Sequence, residues 1–145
     1  MEFKKAVDIV LKLEGGFVDH PKDPGLETKY GISKRSYPDL DIKKLTKKQA
    51  REIYKKDYWD KCSCDTLPEI MRLAVFDCAV NQGVSRALKF WDAIIISGIR
   101  GDEKKFITYM DKRKSHYFRL KTFPVFGKGW INRLLHVYNE TLLDK

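Results

Sequence analysis

Long apolar runs are missing from this sequence. The longest strongly apolar stretch, Ala93 to Ile96, is far below the roughly 20 residues a bilayer-spanning helix needs. The first residues, MEFKK, carry basic charge, but Asp8, Lys12 and Glu14 then interrupt any apolar core of a secretory signal. Cysteine is scarce. Cys62, Cys64 and Cys78 are odd in number and include a tight C-x-C, which argues against a disulfide framework and for buried or free thiols matured in a reducing compartment. His20, His116 and His136 stand apart from one another and from the cysteines, so no metal site is expected. Phosphate-gripping glycine loops and local Ser/His/Asp signatures are absent too, and no cofactor is expected. Repeats and low-complexity tracts do not occur. Strand-like alternation is also lacking, which confines any sheet to a small one within residues 17–32.

What remains describes one folded domain, residues 1–145. Hydrophobic content of 43% with 34% charged residues belongs to a globular chain that can bury a core. Twenty-nine basic residues against 20 acidic ones leave a formal charge of +9, which favours polyanions: nucleic acid, anionic membrane surface or bacterial cell wall. The lysine pairs Lys43-Lys44, Lys47-Lys48, Lys55-Lys56 and Lys104-Lys105 are scattered over helical patterns and read as solvated faces. Without an aromatic-glycine RNA motif or a recognition-helix signature, nucleic-acid binding is not expected.

Helical periodicity dominates. Phe3, Ala6, Val7, Val10 and Leu11 predict an amphipathic helix over residues 2–13, stopped by Gly15-Gly16. Ser33 to Tyr37 suggests a short helical turn. Thr46-Lys47-Lys48-Gln49 is a capping box that starts a helix running to about Trp59. Residues 70–80 are apolar almost all round, with Asp77, Asn81 and Gln82 as polar exceptions, and such a helix belongs in the centre of a fold. Further helices are expected over 85–96, stopped near Gly98, and from a cap at Asp102 to Leu120. Phe123 to Gly129 reads as a turn-rich interruption before a last helix opened by Gly129-Trp130.

The stretch LEGGFVDHPKDPGLETKYGI, residues 13–32, is a long loop by composition, and long loops in compact domains are commonly functional. Glu14 falls at the negative end of the first helix dipole, beside Leu13 and Phe17. Both effects push a carboxyl pKa upward, as a general acid requires. Asp23, in a Pro/Gly turn, is expected to stay ionised. Two carboxyl groups driven toward opposite protonation states suit cleavage of a glycosidic bond. One Glu after a helix and one Asp in a turn are ordinary features of soluble proteins, and the complete string is what narrows the reading.

That string (Glu14, Gly15, Gly16, Phe17, Val18, Pro21, Asp23, Pro24, Gly25, Thr28, Gly31 and Ile32) resembles the E-G-G-[YF]-V-x-x-P-x-D-P-G-G-x-T-x-x-G-I segment of glycoside hydrolase family 108, a muramidase family. Leu26 departs from the family's second glycine. Asp57-Tyr58-Trp59, Asn81-Gln82-Gly83 and Gly129 to Arg133 (G-W-x-N-R) are also similar to family segments. The resemblance implies an all-α, lysozyme-like domain of six to eight helices, with a small loop or hairpin lobe forming a cleft. Residues 1–92 resemble the catalytic part and residues 93–145 a peptidoglycan-binding helical part packed on it.

The implied activity is hydrolysis of the β-1,4 bond between N-acetylmuramic acid and N-acetylglucosamine in peptidoglycan, as in an endolysin. Glu14 is then the general acid. Asp23 stabilises the oxocarbenium ion or orients water, and Thr28 holds that water or fixes the loop. Tyr30, Tyr58, Trp59 and Asn81 are candidates for sugar contact, Asn81 equally for a helix C-terminal cap. The expected protein is a monomer made in the bacterial cytoplasm without a signal peptide, reaching the wall through a holin or another export route. The alternative is a non-catalytic wall-binding or secretion-associated protein on the same scaffold.

Overall fold

The structure, a computed structural model, describes residues 1–15 and 27–145. Among these residues the chain forms six α-helices and one two-stranded antiparallel ribbon, an all-α architecture. Helix α1 spans Phe3–Glu14 and ends on Gly15 at φ 78°. The ribbon follows, β1 (Thr28–Lys29) against β2 (Ile32–Ser33), with Thr28 opposite Ser33 and Lys29 opposite Ile32. A hydrogen-bonded turn from Ser33 to Tyr37 and a 3₁₀ turn at Ile42–Lys44 lead to α2, Lys47–Tyr54. The capping box is present in full: Gln49 N donates to Thr46 Oγ1 at 3.1 Å, and Thr46 N to Gln49 Oε1 at 2.9 Å. Helix α2 then widens into a π-turn over Lys55–Trp59.

The apolar segment becomes α3, Glu69–Gln82, in which Leu73 to Ala79 are all buried. Helices α1, α4 (Val84–Ser97), α5 (Asp102–Arg119) and α6 (Phe123–Leu143) pack against it. An element with no polar face has to be surrounded, and here the chain wraps its remaining helices around it. No helix among the described residues is long and apolar enough to cross a membrane.

Two local expectations are corrected. Asp102 does not cap α5: Gly101 holds that position, and Asp102 lies in the first turn, where a carboxylate faces the positive helix end and Lys105 at 3.5 Å. Phe123 to Gly129 is not an interruption but the opening of α6. Pro124 sits in the first turn, where a missing N–H costs nothing. Gly127 serves close packing, since a Cβ there would lie 2.5 Å from the Phe123 ring. Composition alone reads Pro and Gly as a turn, whereas here one starts a helix and the other makes room for an aromatic ring.

Candidate functional site

Glu14, the last residue of α1, turns its carboxyl toward the ribbon. The ribbon's turn is Tyr30-Gly31, with φ 52° and 75°, both in the left-handed region that two-residue hairpins require. Glycine adopts that conformation freely, but tyrosine does so at a cost of order 1 kcal/mol. A hydrogen bond from Tyr54 Oη in α2 to Tyr30 O at 2.6 Å fixes the turn. Gly31 has a second constraint. A Cβ at this position would stand 2.3 Å from Tyr54 Oη and 2.9 Å from both Cγ and Oε2 of Glu14. The turn therefore lies directly on the carboxyl, with no space for a side chain.

The other carboxyl oxygen meets a cation from the far end of the chain. Arg133 Nη1 in α6 lies 2.8 Å from Glu14 Oε1, with the two side chains 11% and 21% exposed. Arg133 also grips Asp77 in α3, through Nη2 at 2.8 Å and Nε at 3.0 Å. Asp77, completely buried, takes a second guanidinium, Arg113 Nη2 of α5 at 2.7 Å. Arg113 Nε donates in turn to Gln82 Oε1 at 2.7 Å. Two carboxylates and two guanidinium groups thus alternate from Glu14 inward, charge for charge. Burial alone pushes the Asp77 carboxyl up, but Arg113 and Arg133 outweigh it and hold it below the ordinary carboxylate range. The Tyr54 hydroxyl is driven far above its ordinary value, by burial first and then by the Glu14 charge, so it stays a donor.

The sequence-predicted residues fare unequally. Asp23 lies outside the described residues, as do His20 and Leu26. Thr28 is half-buried in β1, and Tyr30 is half-buried at the ribbon turn. Tyr58 follows Tyr54 along the α2 extension, their rings 5.5 Å apart; burial first, then the Asp57 and Glu14 charges, raise its hydroxyl pKa against a hydrogen bond with Tyr37 that lowers it. Trp59 corrects an expectation. It is fully buried, its ring meets the edges of Phe3 and Phe76 at 5.3 Å each, and Nε1 donates to Asp65, which leaves no face for a sugar. Asn81 does not cap α3, which ends on Gly83; it is half-buried, and its Oδ1 accepts the Tyr117 hydroxyl.

Sequence reasoning missed Arg133, Arg113 and Tyr54 as neighbours of the carboxyl. One signal was available, because Asp77 inside an apolar helix has to find a buried cation. Among the described residues no cluster of His, Cys, Asp and Glu is placed to hold a metal ion.

The family model described as Glycosyl hydrolase 108 matches residues 7–83, from α1 through the end of α3. The solved structure of SagA from Brucella abortus is 33% identical, covers 97% of this chain and 94% of its own, and superposes with a TM-score of 0.77. No curated protein matches the sequence.

Proposed function

The chain belongs to the glycosyl hydrolase 108 family, and from that premise we propose that it is an N-acetylmuramidase cutting the β-1,4 bond between N-acetylmuramic acid and N-acetylglucosamine in peptidoglycan. The observation that carries this reading is the placement of Glu14, whose Oε1 is held by Arg133 while Oε2 lies over the side-chain-free turn at Gly31.

In the proposed reaction Glu14 gives its proton to the leaving glycosidic oxygen as the C1–O bond breaks. Arg133, already in contact, stabilises the carboxylate that remains. Asp23 stabilises the oxocarbenium ion or orients the incoming water, which bonds to C1 and loses its proton to a carboxylate. Thr28 fixes the loop or that water, and Tyr30 and Tyr58 contact the sugar. Residues 93–145 form the wall-binding part. The protein acts on the wall after export from the cytoplasm.

A zymogram on purified cell wall with wild type and Glu14→Gln side by side tests this. The variant should fold normally and lose roughly 10²–10⁴-fold in lysis. Lysis by Glu14→Gln at the wild-type rate places the acid elsewhere. The ion pair with Arg133 also suits a second reading, in which Glu14 is a structural partner and the protein binds wall without cutting it. Wild-type retention on insoluble peptidoglycan with no clearing would establish that reading.

A further inference from the structure

A groove of about 540 Å³ runs between α4 and α5, away from Glu14. Arg86 and Lys89 reach it from α4, Lys112 and Arg119 from α5, and none of the residues lining it is acidic. Several cations elsewhere on the surface are answered by carboxylates, Lys5 by Asp144, Arg51 by Asp8 and Lys145 by Glu103. Here Lys89, Lys112 and Arg119 have no ion-pair partner among the described residues, and Arg86 is bonded to the backbone oxygen of Gln82. Two of them, Arg86 and Arg119, act on His116, whose pKa is lowered by burial first and then by these charges. It is therefore expected to be neutral at pH 7.

We propose that this groove binds the carboxylates of the stem peptides on the glycan strand, an anion subsite separate from the carboxyl that cuts it. The inference rests on the wall-hydrolase reading above. An anion suits the groove better than neutral sugar, because four of its ten lining residues are cationic and none is acidic. Guanidinium groups match carboxylates in pairs of parallel hydrogen bonds, and four uncompensated cations raise the local concentration of an acidic chain. Gln82 connects the two regions. Its side chain closes the Glu14–Arg133–Asp77–Arg113 network, and it also lines the groove.

The test is retention of the full chain on two insoluble preparations, intact peptidoglycan and glycan strands stripped of peptide by an amidase, at low and high salt. Wild type should prefer the peptide-bearing strands. Arg86→Gln/Arg119→Gln should weaken that retention about tenfold at low salt, a magnitude suited to two exposed ion pairs. Lys47→Gln/Lys48→Gln, which removes the same charge from α2, should stay within about twofold. Equal losses in both double variants, or wild-type retention indifferent to the peptides, would overturn the proposal. So would a loss by Arg86→Gln/Arg119→Gln confined to duplex DNA or to a phosphate-bearing wall polymer. Clearing by wild type is scored on the same preparations, so failure of the hydrolase reading (no cleavage of either) is separate from failure of the subsite.

Discussion

At position 31 any side chain would have to displace both the Glu14 carboxyl and the Tyr54 hydroxyl, and it would also have to accept a left-handed backbone. Gly31→Ala is therefore expected to cost roughly 1–3 kcal/mol, read as a lower urea midpoint, and to reduce lysis with it. An unchanged midpoint would mean that the turn relaxes away from Glu14 freely. The place of Glu14 at the exit of α1 was legible in the sequence, because the apolar periodicity stops at Gly15-Gly16. Its partner was not. Nothing local to Arg133 indicates that it crosses the molecule, since ion pairing between distant helices leaves no periodicity to read. Trp59 failed for a related reason. An aromatic residue beside a site motif can serve core or ligand, and only the arrangement of Phe3 and Phe76 decides between them.

One side chain of α3, Asp77, bonds to both α5 and α6, to Arg113 of the first and Arg133 of the second. Asp77→Asn leaves buried Arg113 without a carboxylate and Arg133 with Glu14 alone. It should destabilise by about 3–5 kcal/mol in urea unfolding. An unaltered midpoint would show that the pairing contributes nothing net. The pH dependence follows from the same residue. Its carboxyl is held below the ordinary range in the fold, so its stabilisation is full above the unfolded value of about 4 and is lost as pH falls further toward the folded one. Stability measured from pH 7 to pH 2 should drop along that limb in wild type and flatten in Asp77→Asn. Among the elements, α2 and α3 were the most legible, one from its capping box and the other from its unbroken apolar face. The start of α6 was the least, because a glycine chosen for packing looks the same in sequence as one chosen for a turn.

For the molecule as a whole, one central helix with the others around it was readable from hydrophobic patterning, which does not depend on knowing the partners. The three cysteines are free and buried, so no cross-link limits the unfolded chain. Thermal unfolding should accordingly have the same midpoint with and without a reducing agent, and a shift of several degrees would reveal a disulfide. What the pattern could not supply was the charge order, Glu14 to Arg133 to Asp77 to Arg113, because that belongs to four separate helices at once.

The span of that chain has a bearing on synthesis. A carboxylate made in α1 meets its cation only when α6 has left the ribosome, and Asp77 waits for the same residue. A nascent polypeptide halted before α6 holds a buried anion with half its counter-charge and an unguarded Glu14. The carboxyl proposed as the acid thus gains its ion-pair partner only after α6 has been made.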